Sequence, residues 1–176
     1  MKILVVVDMQ NDFIDGTLGT KEAVEILSNV QQKIKEYRNS GFPVIFTRDT
    51  HEDNYLETQE GRNLPVLHCV YNTKGWQISE QLEVADSVII DKPTFGSTKL
   101  AQYIQNHYSD TNLEIELIGL CTDICVISNA IILKAIFPET RIMVDASCCA
   151  GVTPDSHKNA LESMKMCQIS IVNEKE

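Results

Sequence analysis

ELIGLCTDICVIS, residues Glu116 to Ser128, joins an apolar strand to a helix through a tight bend. The strand reads as Leu113 to Ile118, Gly119 opens the turn, and a helix is expected to begin near Asp123 to Cys125 and run to about Ala135. Cys125 then lies in the first helical turn, where backbone N–H groups without partners and the positive end of the dipole favour an anion. A thiol there is expected to lose its proton more readily and to act as a nucleophile near neutral pH. The same bend can aim the N–H groups of Cys121 and Cys125 at the oxygen of a carbonyl under attack. Most cysteines are small packed side chains. The case for chemistry therefore rests on which acids and bases accompany this one.

Outward from this stretch, strands and helices alternate. Ile3 to Val7 is a continuous apolar run, the pattern of a strand buried on both faces, and Asp8 to Gly19 follows as a polar loop. Lys21 to Arg38 carries Ala23, Val24, Leu27, Val30, Ile34 and Tyr37 at helical spacing, with a charged outer face. Val44 to Thr47 is a second strand, and Thr50 to Gly75 is a long segment without periodicity, a length that favours a functional loop. Ser87 to Ile90 makes a third strand. Ser97 or Thr98 can cap a helix with Leu100, Ile104 and Tyr108 on one face. Arg141 to Asp145 is a fifth strand, Ser147 to Val152 a small-residue turn, and Thr153 followed by Pro154 starts a helix to about Met166. Gln168 to Val172 closes the set. This alternation predicts an α/β fold, one domain over residues 1–176 with three α/β/α layers and a six-stranded, mostly parallel, Rossmann-like sheet.

Composition narrows the function classes. The chain has 176 residues, 43% of them hydrophobic and 23% charged, with a formal net charge of -10. A core of that size needs neither disulfides nor metal to be stable. No basic patch is present to neutralise phosphates, so nucleic acid is not an expected partner. The start, MKILVVVDMQ, has one Lys and an apolar run too short for a signal peptide, and no stretch is long enough to cross a bilayer. The expectation is a cytoplasmic protein with no membrane partner and six reduced cysteines. Cys148 and Cys149 are expected to pack as small apolar residues, His107 and His157 to lie at the surface, and Asp123 to cap the helix after the bend.

Asp8, Asp49, Lys92 and the Cys125 turn each stand at or just past the carboxyl end of an expected strand. In open parallel sheets those ends share one edge, where ligands bind. Taken singly, Asp8 reads as a turn residue, Asp49 as a cap and Lys92 as a solvated lysine before Pro93. Taken together they can converge: Asp8 would accept the thiol proton and return it to a leaving amine, while Lys92 holds the carboxylate and the sulfur and lowers the pKa of both.

Three blocks, VVVDMQNDFIDG at Val5 to Gly16, Lys92 after the third strand, and GLCTDICV at Gly119 to Val126, resemble the signatures of the isochorismatase-like cysteine hydrolases. The likeness covers nearly the whole chain and is nearest to the nicotinamidase and pyrazinamidase branch. It implies the isochorismatase-like fold, and a triad of Asp8 as acid and base, Lys92 as its electrostatic partner and Cys125 as nucleophile. It also implies a cis peptide before Cys121 and an oxyanion hole made by the N–H groups of Cys121 and Cys125. The branch resemblance further implies a divalent metal ion, with Asp49, His51 and His68 as ligands. Two imidazoles and a carboxylate suit zinc, iron or manganese, with zinc favoured. For the remaining ligand, Glu57 fits by spacing from His51, whereas Glu60 fits members that use Glu and is preferred. No organic cofactor is expected.

The activity implied is release of ammonia from a small carboxamide, nicotinamide above all, through a Cys125 thioester. Phe13 is retained as one face for a ring. Pro65 stands where the branch places an aromatic wall, and Phe95 and Trp76 are candidate replacements. Two alternatives stay open: a metal-free family hydrolase of carbamoyl or ureido compounds, and a non-catalytic member acting as a binding subunit. A homo-oligomer, dimer or tetramer, is implied by the resemblance.

Overall fold

The computed structural model describes residues 1–108 and 112–174. In β1 (Lys2–Val7) every second side chain turns to the same core. Ile3, Val5 and Val7 join one buried cluster, and Leu4 and Val6 join another on the opposite face. Burying each of these five branched side chains contributes about 1.5–3 kcal/mol, and a strand buried on both faces needs helices on both. They are supplied by α1 (Asn11–Ile14), α2 (Lys21–Glu25) and α3 (Leu27–Asn39) after β1; α4 (Gln59–Asn63) lies between β2 (Val44–Asp49) and β3 (Val88–Lys92). Then come α5 (Thr98–His107), β4 (Glu114–Leu120), α6 (Ile127–Ile136), β5 (Arg141–Ala150), α7 (Pro154–Met166) and β6 (Ser170–Val172). Leu100, Ile104, Val126, Leu133, Leu161 and Met164 cover the Ile3 face, while Leu27, Val30, Ile34 and Tyr37 cover the Leu4 face.

The sheet runs β3-β2-β1-β4-β5-β6, and each neighbouring pair is parallel. The α/β fold and the strand count match the expectation, and the sheet is wholly rather than mostly parallel. From β1 the chain builds outward to β2 and β3, then returns to lay β4 on the other side of β1. The crevice at that reversal is where an open parallel sheet binds ligands. At its floor, Gly119 pairs with Val7 at φ +115, and a side chain there would run into the Val7 carbonyl. Only glycine allows so close an approach in that conformation.

Several local expectations are corrected. The polar loop after β1 contains the short helix α1, and the run from Lys21 to Arg38 bends at Ile26 (φ -80, ψ -13), which separates α2 from α3. Ile26 and Leu27 are both buried, and adjacent residues on a straight helix point about 100° apart. The bend lets both reach the core. Ser147 to Ala150, read as a turn, continues β5, because its small side chains let the strand resume pairing with β4 beyond a register shift between Leu117 and Gly119. Cys148 and Cys149 are buried as expected, but in a strand. After β4 the chain makes a π-helical turn, Thr122–Val126, before α6. All six cysteines are free thiols, and among the described residues no helix is long and apolar enough to cross a membrane.

Candidate active site and metal-ligand cluster

Parallel pairing carries the ends of β1, β2, β3 and β4 to one edge. Asp8 follows β1 at φ 46, a left-handed conformation that Asp tolerates better than most residues. In the β2 and β3 register Asp49 is the partner of Lys92. The Leu120–Cys121 peptide at the end of β4 is cis, as the resemblance implied.

Lys92 is the common neighbour. Its Nζ lies 2.6 Å from Asp8 Oδ2, 3.3 Å from Asp49 Oδ1 and 3.4 Å from Cys125 Sγ, and it donates to the Thr94 carbonyl at 3.1 Å. Asp8 Oδ1 accepts from Thr47 Oγ1 at 2.6 Å. The expected convergence of Asp8, Lys92 and Cys125 is therefore present, with Lys92 1% and Cys125 5% exposed. Burial decides the protonation states. It pushes the Cys125 thiol well above its usual range, Asp8 adds to the rise, and Lys92 opposes it. Desolvation of the sulfur therefore works against the readily ionised thiol expected from the helix end. Burial likewise raises Asp8 despite Lys92. A carboxylate raised in this way is a stronger base, suited to accept a thiol proton as the sulfur attacks.

Beside this group, Asp49, His51, Glu60 and His68 each place one donor atom within 4.8 Å of the others. The long loop after β2 brings the histidines together by closing on itself: His51 N–H donates to the Cys69 carbonyl at 3.0 Å, and Tyr71 N–H donates to the His51 carbonyl at 2.8 Å. His51 Nε2 lies 2.9 Å from Asp49 Oδ2 and 3.6 Å from Glu60 Oε1; His68 Nε2 lies 3.7 Å and 4.0 Å from the same atoms. His68 Nδ1 is 2.8 Å from the Val66 carbonyl, which accepts its proton and leaves the Nε2 lone pair facing the cluster. His51 Nε2 is buried without a hydrogen bond of adequate geometry. Against burial, which raises it, the facing imidazoles of His51 and His68 and the Lys92 charge hold Asp49 below the ordinary carboxylate range. Two imidazole nitrogens and two carboxylates facing one point fit a divalent cation. Of the two candidate acids, Glu60 lies in the cluster, whereas Glu57 is exposed and outside it.

The ring-binding candidates are less alike. Phe13 is buried and tilts against His68 with centroids 5.6 Å apart, whereas Phe95 is 46% exposed on the loop after β3. Trp76 is engaged elsewhere, under the Arg48 guanidinium at 3.6 Å and bonded through Nε1 to Thr50 Oγ1 at 2.9 Å. Asp123 does not cap a helix: its carboxylate accepts the Val152 N–H at 3.1 Å, because the chain leaving β5 passes over the π-helical turn. His157 is half-buried rather than at the surface, since α7 packs on that turn and brings Nδ1 to 2.7 Å from Thr122 Oγ1. His107 is exposed as expected.

Three side chains that support the site carried no strong signal. Gln10 donates to the carbonyls of Asp49 (2.8 Å) and Trp76 (2.9 Å) and accepts from Asp49 N–H (2.7 Å). Asn129 accepts from Ser97 N–H (2.9 Å) and donates to the Cys125 carbonyl (2.8 Å). Its spacing of four from Cys125 on a helix was the available hint. Tyr55, fully buried inside a polar loop, had none.

A profile of the isochorismatase domain matches residues 2–174. The nicotinamidase of Saccharomyces cerevisiae is 25% identical over 221 residues, covering 98% of this chain and 100% of that protein. The crystal structure of Pyrococcus horikoshii pyrazinamidase in complex with zinc has a TM-score of 0.83 at 30% identity, over 98% of this chain and 99% of that one. That of N-carbamoylsarcosine amidase from Thermoplasma acidophilum has a TM-score of 0.78 at 27% identity, over 99% and 98%.

Proposed function

The chain belongs to the isochorismatase family, and from that premise we propose that it is a cysteine amidohydrolase releasing ammonia from a small carboxamide, with nicotinamide the preferred substrate. The observation that carries this reading is the position of Lys92, whose ammonium touches Asp8 at 2.6 Å and the Cys125 sulfur at 3.4 Å at once. Asp8 takes the thiol proton as Cys125 Sγ bonds to the carboxamide carbon. The backbone N–H groups of Cys121 and Cys125 receive the oxyanion. Asp8 then returns the proton to the nitrogen, the C–N bond breaks and ammonia leaves. Water, deprotonated by Asp8, hydrolyses the thioester to the carboxylic acid and restores the thiol. Lys92 keeps both partners in place and offsets their charge. Phe13 offers the ring face, and Phe95 stands as a second contact at the exposed side.

Asp49, His51, Glu60 and His68 would hold a divalent ion, with zinc favoured over iron or manganese. When bound, such an ion supplies a Lewis acid for a ring nitrogen of the substrate. Assay of ammonia release from nicotinamide and other small amides tests the reading: nicotinamide should turn over, and Cys125→Ala should abolish turnover with the melting curve retained. Ammonia release by Cys125→Ala at the normal rate overturns the thioester route. A second reading, a metal-independent hydrolase of carbamoyl compounds, is favoured by the likeness to N-carbamoylsarcosine amidase and by Pro65 in place of an aromatic wall. Full turnover after chelation would select it.

A further inference from the structure

Tyr55 is fully buried although it belongs to a three-residue helical turn in the loop between β2 and β3. Its ring centroid is 4.5 Å from that of His51 and 5.0 Å from that of His68, meeting the latter edge-on at 80°. One phenol therefore packs against both imidazoles of the cluster. Its hydroxyl donates to the Leu64 carbonyl at 2.9 Å, where α4 ends. Its own carbonyl accepts from Thr58 Oγ1 at 2.6 Å and Thr58 N–H at 2.9 Å, and Thr58 Oγ1 in turn caps α4 by accepting Gly61 N–H at 3.0 Å. A Cβ on Gly61 would collide with the Tyr55 carbonyl oxygen, so the glycine is what lets α4 lie directly on the Tyr55 backbone.

The helix held in this way carries Glu60. Five residues are far too few for a helix to persist alone. The place of the Glu60 carboxylate, 3.6 Å from His51 Nε2, is therefore set by whatever ties α4 down, and Tyr55 does so at both ends. We infer that Tyr55 is a positioning residue for the metal cluster, touching no ion itself, which presets His51 and His68 through its ring and Glu60 through its hydroxyl and carbonyl. The inference rests on the metal reading given under the proposed function, and it adds a residue that sets affinity.

The test is a double-mutant cycle read as zinc affinity, measured on the full chain by competition with a chromogenic chelator. Tyr55→Phe should weaken zinc binding about tenfold, as outer supporting residues of metal sites do. Glu60→Gln should weaken it as well. In the Glu60→Gln background, Tyr55→Phe should change affinity by less than about twofold, because its effect passes through the missing carboxylate. The cobalt(II) absorption spectrum of Tyr55→Phe should shift toward that of Glu60→Gln. Gly61→Ala, which pushes α4 off the same carbonyl, is the independent arm and should follow the same pattern. Wild-type affinity in both Tyr55→Phe and Gly61→Ala, or losses that simply multiply in the double variants, overturns the inference while the metal reading stands. A wild-type chain that binds neither zinc nor cobalt overturns both.

Discussion

With 1% of its side chain exposed, Lys92 has two carboxylates, a sulfur and a carbonyl for neighbours in place of water. Removing the ammonium leaves Asp8 and Asp49 buried with one fewer counter-charge. Breaking a buried ion pair from one side costs about 3–5 kcal/mol, and Lys92→Met should lose that much in denaturant unfolding. The same variant tests the electrostatics of the sulfur. Lys92 lowers the pKa of both Cys125 and Asp8, so without it both rise. The pH profile for alkylation of Cys125 by iodoacetamide, followed by mass spectrometry, should then move to higher pH. An unchanged profile would show that Lys92 does not act on the thiol. At this scale the convergence was legible because Asp8, Lys92 and Cys125 stand at strand ends that a parallel sheet must gather. Thr47 was not, since its hydrogen bond to Asp8 spans 39 residues of chain and nothing in VIFTRD marks it.

Helix α3 shows what a pattern can and cannot foretell about an element. Its apolar stripe was read correctly, but Lys33, which reads as part of the charged outer face, turns inward. Its Nζ lies 2.7 Å from Asp145 Oδ2 on β5 and 3.0 Å from Glu116 Oε1 on β4, while Tyr37 donates to Glu116 Oε2 at 2.5 Å. Against burial, which raises it, hydrogen bonds from Lys33, Ser147 and Asn173 lower the Asp145 pKa. A carboxyl lowered on folding stabilises the fold above its ordinary pKa of about 4. That contribution fades as pH falls through the lower folded value. Lys33→Met should therefore cost about 3 kcal/mol at pH 7. The gap in melting temperature between wild type and variant should narrow in acid, below about pH 4. Melts at pH 7 and pH 3 check both; a gap that widens in acid would contradict the ion-pair account.

For the molecule as a whole, the four-donor cluster lies where the long loop folds back against the sheet edge, so a bound ion would tie the two together. A ligand that binds only the folded state stabilises it by about 2.7 kcal/mol at a hundredfold excess over its Kd. For a chain of this length that is a rise in melting temperature of about 5–10 °C. Zinc added to chelator-treated protein should give such a rise, and His68→Ala should abolish it. No shift in the wild-type chain would remove the metal from the account.

Hydrophobic period, helix caps and turn residues are local properties, and from them the sequence alone determined the alternation of strands and helices, the sheet class and the edge at which Asp8, Asp49, Lys92 and Cys125 would meet. Only the tertiary structure placed Glu60 rather than Glu57 beside Asp49, His51 and His68, extended β5 through Ser147 to Ala150, and turned Lys33 inward. It also buried the Cys125 sulfur, and loss of water there opposes its ionisation. Each of these depends on how much water reaches a group and on which distant side chain faces it, and both are properties of the packed chain rather than of any window along it.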